Sequence, residues 1–257
     1  MYKRPVMKDY FNEDLARLYA EHISEVYPAF DRANFIDDVV KETGNKRMSE
    51  RIEAFSRQLK NYLPNDYIAA TDIIMSILGV ENDEFYFPFE KMYYYRALSK
   101  FVEMYGQDHF EQSIKTIEEI TKRDTGEFAI RPFIRDDYER VETVFRRWAN
   151  DENAHLRRLV TEGTRPRLPW AKKLDFIKGD VTENLKLLEP FLSDSSRYVE
   201  KSVGNHLNDL SKYDETAVTN FISEHFEKTN PFIIKRALRT LKKAGDDRAL
   251  ALLEQLK

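Results

Sequence analysis

Three acidic residues could take part in chemistry, and two of them stand where a helix seldom carries a solvated carboxylate. Glu127 follows Gly126 and precedes Pro132, so it belongs to the start or the break of a helix. Glu162 precedes Gly163 at a predicted helix end, where the helix dipole disfavours an anion. An acid in that position needs positive charge beside it, and a cationic substrate would supply that charge.

Each acid also has a structural interpretation, in which it forms an ion pair or a hydrogen bond within the protein. The third acid, Asp209, lies on a predicted helix that runs from residue 205 to 209. The alternative partners are Arg131 for Glu127, Arg158 or Arg165 for Glu162, and His206 or Lys212 for Asp209.

Other kinds of site are poorly supported by the sequence. The absence of cysteine excludes thiol catalysis, zinc-thiolate sites and iron–sulfur clusters. The five histidines show no His-x-x-x-His or His-Glu-x-x-His spacing, and the eight glycines are isolated, so we expect no metal site, no phosphate-binding loop and no cofactor. His206 can act as a general base, although a hydrogen bond across its own helical turn is the expected role.

The composition is that of a globular protein rather than a membrane protein. The 257 residues are 42% hydrophobic and 33% charged, with a mean hydropathy of -0.63. The most apolar stretch, residues 67–80, is shorter than the roughly 20 residues that a spanning helix needs. The first nine residues do not resemble a secretory signal, and the lack of cysteine fits a reducing cytosol.

Charge is distributed unevenly along the chain, although the net charge is only -4. Residues 1–130 carry 17 basic and 24 acidic side chains, a net charge of -7, whereas residues 131–257 carry 24 and 21, a net charge of +3. The C-terminal half is therefore where a polyanion would bind.

Apolar spacing of i, i+3, i+4 predicts helix almost throughout, with few strand signals. Pro64 ends one helix, and Asp66 and Asp108 are candidate N-caps of the next ones. We predict a helical cap in residues 1–45 and a repeat domain in residues 46–257. The predicted helices include residues 10–27, 30–40, 66–78, 89–105 and 108–121.

The second helices of successive helix pairs recur after residue 134, at spacings of 43 and 35 residues. Periods of this size with two helices per unit are typical of an α-solenoid of HEAT-like repeats, and an irregular helical bundle is the alternative. The all-α chain would then form a curved superhelix with a concave, basic groove. The aligned copies are HLRRLV from His155, YVEKSV from Tyr198 and IIKRAL from Ile233.

The aligned copies carry basic residues at similar points. Stacked copies would present a cationic stripe to a phosphate backbone. A solvated charged face is the ordinary interpretation for any one helix. The basic residues are Arg157 and Arg158, then Lys201, then Lys235 and Arg236, which Arg239 and Lys243 continue.

Four longer segments resemble the AlkC-type DNA alkylation repair glycosylases, relatives of AlkD built from HEAT-like repeats. The resemblance extends from about Arg51 to the C-terminus. Many such proteins carry a further immunoglobulin-like domain after the repeats, and we expect this chain to be of the shorter form. The segments are residues 125–133 (TGEFAIRPF), 158–170 (RLVTEGTRPRLPW), 203–209 (VGNHLND) and 234–241 (IKRALRTL).

The resemblance implies a monomeric, monofunctional DNA glycosylase. Such an enzyme removes cationic N-alkylated bases, of the 3-methyladenine and 3-methylcytosine type, from duplex DNA without full extrusion of the base. The residues that match the lesion-facing carboxylates of the family are Glu127, Glu162 and Asp209. Contacts with DNA are expected from Trp170, which follows a double-proline turn, and from Arg157, Arg165, Arg167, Lys201, Asn205, Lys235 and Arg239. Trp148 is expected to be a core residue.

The chemistry expected of such acids is electrostatic. Alkylation at a ring nitrogen makes the base a good leaving group, and a carboxylate stabilises the positive charge that develops at C1′. We expect the three carboxylates to converge within about one nucleotide of each other. Rival hypotheses are a non-catalytic scaffold that binds DNA or protein, and an acidic N-terminal half that binds a basic partner.

Overall fold

The computed structural model describes residues 6–82 and 89–256, and of residues 89–91 the backbone alone. Within these ranges the chain forms fifteen α-helices and a few short 3-10 turns, and it contains no strand. The predicted all-α fold class is confirmed. None of the described helices has the length and apolar character that crossing a bilayer requires.

The chain consists of two compact units, Met1–Pro132 and Phe133–Lys257. The first unit holds α1 to α6, and the short helix α7 runs across the boundary. The division of the chain near residue 45 stays a prediction, although α2 packs against α3 within the first unit. The bounds are α1 Glu13–Val26, α2 Arg32–Thr43, α3 Met48–Tyr62, α4 Tyr67–Ser76, α5 Phe89–Tyr105, α6 Phe110–Thr121 and α7 Ile130–Asp136.

Local signals set most of these helix ends. The α3 helix stops at Tyr62, two residues before Pro64, and the Asp66 side chain accepts a hydrogen bond of 2.8 Å from the Ala69 amide to cap α4. The prediction of an N-cap at Asp108 is wrong. Asp108 lies in a turn in which the His109 amide donates a hydrogen bond to the Gly106 carbonyl oxygen. The α6 helix therefore begins only at Phe110.

The second unit contains the predicted repeat. The helices that carry the aligned copies are α9, α11 and α13, and α11 packs against both of the others. This arrangement confirms the stacking of successive copies. The bounds are α8 Tyr138–Trp148, α9 Ala154–Gly163, α10 Val181–Leu188, α11 Arg197–Leu210, α12 Glu215–Glu224, α13 Pro231–Ala237, α14 Arg239–Ala244 and α15 Asp247–Glu254.

The apolar faces of these helices form the core of the second unit. Trp148 is fully buried and its ring lies 5.9 Å from that of Phe145, so its predicted role in the core is confirmed. Each of the three stacked helices contributes aliphatic side chains that are almost completely buried, among them Leu156 and Leu159, Val199 and Val203, and Ile233 and Ile234.

A glycine allows α11 and α13 to approach closely. A Cβ atom at Gly204 would lie 2.8 Å from the Cβ atom of Arg236 and 3.1 Å from its Cγ and Cδ atoms. The Cβ atom belongs to the stem of the arginine and cannot move without its backbone. A larger residue at 204 would therefore push the two helices apart.

We expect Gly204→Ala to lower the free energy of unfolding by about 1–3 kcal/mol, because overpacking outweighs the better helix propensity of alanine. Urea unfolding followed by circular dichroism measures the change. Asn220→Ala, at an exposed position of α12, is the control and should change the stability by less than about 0.5 kcal/mol. Equal stability of the Gly204→Ala variant and the wild type would contradict this close packing.

Candidate active site

Glu162 lies in the last turn of α9 and is held at both carboxylate oxygens. Its Oε1 atom is 2.7 Å from Nη1 of Arg165 and 3.4 Å from Nη2 of Arg158. Its Oε2 atom accepts a hydrogen bond of 2.6 Å from the Ser202 hydroxyl on α11. The residue is 6% exposed. Glu162 therefore joins the end of one repeat helix to the middle of the next.

The charge of Glu162 is preserved despite its burial. Burial alone raises the pKa of a carboxyl group. The guanidinium groups of Arg158 and Arg165, together with the hydrogen bonds from Ser202 and Arg165, outweigh burial and hold the pKa of Glu162 below its ordinary value. The side chain is consequently a carboxylate at neutral pH.

Asp209 is tied to the same arginine. Its Oδ2 atom lies 2.9 Å from Nε and 2.8 Å from Nη2 of Arg165, and its Oδ1 atom lies 3.2 Å from Nζ of Lys212. Arg165 thus forms hydrogen bonds with both Glu162 and Asp209, and all three residues are buried. A single guanidinium group fixes two carboxylates within the second unit.

Cations of the protein itself supply the positive charge that Glu162 needs at the end of its helix. The predicted alternatives for Glu162, ion pairs with Arg158 or Arg165, are both present. The predicted pair between Asp209 and Lys212 is present as well. The position of Glu162 at a helix end is confirmed, but it does not by itself demand a cationic ligand.

His206, which lies on α11 beside this network, forms its hydrogen bonds with other helices and not across its own helical turn. Its Nδ1 atom lies 2.9 Å from the Thr161 carbonyl oxygen on α9, and its Nε2 atom lies 3.1 Å from Nδ2 of Asn184 on α10. These contacts fit a neutral ring that donates from Nδ1 and accepts at Nε2. The prediction of a bond across the turn is wrong, because the side chain is buried between helices.

Glu127 lies in the first unit, in the turn that precedes α7, as predicted for a helix start. Its backbone amide donates 3.1 Å to the Thr125 hydroxyl, and that hydroxyl lies 3.2 Å from Oε2 of Glu127. A Cβ atom at Gly126 would lie 2.6 Å from Cγ2 of Ile117, so the turn packs tightly on α6. The convergence of Glu127 with the other two acids stays a prediction.

The Glu127 turn also lies beside a buried ion pair. Asp124, three residues earlier, pairs with Arg96 on α5 at 3.3 Å, and its side chain is almost completely buried. The Arg96 guanidinium lies 5.9 Å from the centre of the Phe128 ring. These contacts tie the residues on either side of Glu127 to α5.

Trp170 protrudes from the loop between α9 and α10. It is 77% exposed, and its φ of 64° lies in the left-handed region that non-glycine residues seldom adopt. On the same loop, Arg167 donates 2.8 Å to the Tyr213 hydroxyl and stacks over that ring at 4.9 Å. The loop therefore presents a large aromatic side chain and an exposed cation to solvent.

The residues predicted to contact DNA fall into two groups. Lys201, Lys235 and Arg239 are exposed at the surface of the second unit. Arg157, in contrast, forms a two-point ion pair with Asp194 at 2.8 and 3.0 Å. Arg165 is engaged by the two buried carboxylates, and Asn205 accepts a hydrogen bond of 2.8 Å from Arg236. Contact of any of them with DNA remains a prediction.

The sequence interpretation missed Ser202 and Asn184, whose side chains are buried in this network. A signal for Ser202 was present in the repeat. The aligned copies carry Leu159 and Ala237 at the corresponding position, so a hydroxyl stands where its counterparts are apolar. A polar residue at a core position of a repeat indicates a partner across the helix interface.

The chain is similar in sequence and structure to known proteins. Residues 52–241 match the family model described as DNA alkylation repair enzyme. Over 255 residues the chain is 36% identical to the uncharacterized protein YhaZ of Bacillus subtilis, covering 96% of this chain and 67% of that protein. It also resembles the solved structure of Pseudomonas fluorescens alkylpurine DNA glycosylase AlkC bound to DNA containing an abasic site analog, with a TM-score of 0.88 and 32% identity, covering 98% of this chain and 69% of the other.

The buried position of His206 predicts a loss of stability in acid. Burial lowers the pKa of His206 to about 4, whereas the ordinary value is 6.5. Below pH 6.5 the unfolded chain takes up a proton that the folded state excludes. Stability therefore falls as the pH drops from about 6.5 towards 4, by up to about 3 kcal/mol from this residue.

Urea unfolding between pH 7 and 4 measures this contribution. His206→Gln should flatten the decline relative to the wild type, although it lowers the stability at pH 7. Asn220→Ala, which removes no titratable group from an exposed position of α12, serves as control and should keep the wild-type slope. A His206→Gln chain that loses stability in acid as steeply as the wild type would contradict a neutral, buried His206.

Proposed function

The chain belongs to the DNA alkylation repair enzyme family, and we propose on this basis that it is a monofunctional DNA glycosylase that removes cationic N-alkylated bases from duplex DNA. The bases are of the 3-methyladenine and 3-methylcytosine type. The reaction is hydrolysis of the N-glycosidic bond, without full extrusion of the base. The protein would act as a monomer in the cytosol, where the DNA of a bacterium lies.

The observation that carries the proposal is the pair of buried carboxylates, Glu162 and Asp209, held by Arg165. Burial of two acids and one arginine removes the hydration of each group, and their mutual attraction offsets that loss only where the geometry is good. Such an arrangement holds negative charge in a fixed position, ready to stabilise a cation that develops during a reaction. The likeness to a solved alkylpurine glycosylase supports the same interpretation.

In the proposed reaction the base leaves without help from a general acid. Alkylation at a ring nitrogen gives the base a positive charge, so it departs neutral and the charge passes to the sugar. One carboxylate about 4 Å from C1′, at an effective dielectric constant of about 20, stabilises that charge by roughly 4 kcal/mol. This corresponds to about a thousandfold in rate if it is realised in the transition state alone.

The proposal assigns the role of electrostatic stabiliser to Glu162 and Asp209. Both are already bound by cations of the protein, which fix the carboxylates in place. Glu127 is proposed to orient the attacking water. Because water, and not a lysine amine, is the nucleophile, the abasic strand should stay intact until a later enzyme or alkali cleaves it.

DNA would be held by the exposed cations of the second unit. The proposal gives the phosphate contacts first to Lys201, Lys235, Arg239 and Arg167, because Arg157 and Arg165 are engaged by protein carboxylates. Trp170 would contact the backbone or a sugar beside the lesion. Binding through phosphates is salt-dependent and tolerant of sequence.

We expect Glu162→Gln and Asp209→Asn to slow base release by about a hundredfold to a thousandfold, because each removes one fixed negative charge. Release of methylated bases from chemically methylated duplex DNA, under single-turnover conditions, measures the effect. Circular dichroism and binding to DNA with an abasic site analog report whether each variant is folded.

Glu189→Gln is the matched control, because Glu189 is an ion-paired but only half-buried acid of the same unit. It should release bases at the wild-type rate. Undiminished release by both Glu162→Gln and Asp209→Asn would reject the mechanism, and a wild type that binds DNA but liberates no base would leave a non-catalytic scaffold.

Lys235→Ala tests the DNA-binding surface separately. We expect it to weaken binding similarly on all duplex sequences and to reduce the slope of log K against log salt by about one, since one phosphate contact is lost. Fluorescence anisotropy at several salt concentrations gives the slope. Lys186→Ala, on α10 and paired with Glu183, is the control; an unchanged slope for Lys235→Ala would remove this contact.

A further inference from the structure

We propose that Ser202 is a positioning residue for catalysis: its hydroxyl, oriented by Thr161, fixes the direction of the Glu162 carboxylate. The inference rests on the proposed glycosylase function. It adds a residue from α11 that makes no contact with substrate and acts through the acid that stabilises the sugar.

The hydroxyls form a short chain that ends on the carboxylate. The Thr161 hydroxyl lies 2.7 Å from the Ser202 oxygen and 3.0 Å from the Arg158 carbonyl oxygen, and its one hydrogen is shared between these acceptors. The Ser202 hydroxyl donates 2.6 Å to Oε2 of Glu162. A hydroxyl group has one hydrogen, and an ionised carboxylate can only accept. The direction of the chain is therefore set, and it points towards Glu162.

Burial makes this hydrogen bond selective. Thr161 and Ser202 are at most 2% exposed, so water does not compete for either hydroxyl. Hydrogen bonds to a charged acceptor are also stronger than those between neutral groups. The Ser202 bond therefore restricts Glu162 more than a surface hydrogen bond would.

The two oxygens of Glu162 have different partners. Arg158 and Arg165 both bind Oε1, and in the described part of the chain Ser202 is the donor at Oε2. Without the serine hydroxyl the carboxylate could turn about the Oε1 contacts. Preorganised charge loses its effect on the transition state when its direction is no longer fixed.

The effect of the Ser202 hydrogen bond on the ionisation of Glu162 can be measured in the pH profile of base release. The cations facing Glu162 are Arg158 and Arg165 from α9 and the loop after it, and Arg236 from α13. From α11 it is faced by His206, whose pKa of about 4 keeps it neutral above that pH, while Asp209 binds the same arginine, Arg165. The Ser202 hydrogen bond helps to lower the pKa of Glu162, so its removal should raise that pKa.

The test is Ser202→Ala. We expect single-turnover base release to be about ten- to a hundredfold slower, the acid limb of its pH profile to move to higher pH, and the Kd for DNA with an abasic site analog to stay within about twofold. Ser202→Thr keeps the hydroxyl and should restore most of the rate. Thr161→Val, which leaves the Ser202 hydroxyl without its donor, should shift rate and acid limb in the same direction by a smaller amount.

Ser56→Ala is the matched control, because Ser56 is also a buried helical serine but donates to the backbone carbonyls of Ile52 and Ala97. It should leave rate and pH profile unchanged. A rate of Ser202→Ala equal to the wild type would overturn the proposal. So would a slower rate with an unmoved acid limb, which indicates a general loss of structure.

A measurement without catalysis covers the case in which the wild type releases no base. Carboxyl carbon-13 NMR titration of Glu162, assigned with Glu162→Gln, should give a higher pKa in Ser202→Ala than in the wild type. That shift in an inactive protein would reject the glycosylase function while keeping the Ser202 contact. An unchanged pKa would overturn the positioning role whether or not the protein is an enzyme.

Discussion

A carboxylate that leaves water keeps its charge only when cations and hydrogen-bond donors replace the lost hydration. The second unit satisfies this requirement for Glu162 and Asp209 together, with Arg165 between them. The need for such donors explains why the Ser202 hydroxyl is buried in the interface between α9 and α11. The contacts that hold α9 against α11 are thus also the contacts that keep the site ionised.

Much of the fold followed from periodicity, because helical spacing, prolines and caps act locally. The end of α3 before Pro64 and the cap of α4 at Asp66 depend on neighbours within three residues. The failure at Asp108 has a different origin. There a turn around Gly106 and a ring contact between His109 and Tyr67, at 4.7 Å, decide where α6 begins, and neither is visible in local spacing.

The site was less predictable than the fold, because its chemistry depends on partners about 40 residues away. Spacing could suggest Arg158 or Arg165 for Glu162, since these lie within one turn. It could not show that Arg165 also reaches Asp209, that Arg157 pairs with Asp194, or that His206 bonds to the Thr161 carbonyl. Each contact crosses from one repeat to the next, where the distance is set by helix packing.

Arg165 spans two successive repeats, and this gives the stack a use beyond stability. Because the two carboxylates lie on successive repeat helices, the distance between those helices sets the separation of the carboxylates. A change that alters the distance between α9 and α11, even one far from either acid, would therefore change the separation of the two carboxylates. The close packing of α11 on α13 at Gly204 helps to fix the position of α11, so substitutions in that interface should also change the geometry of the two carboxylates.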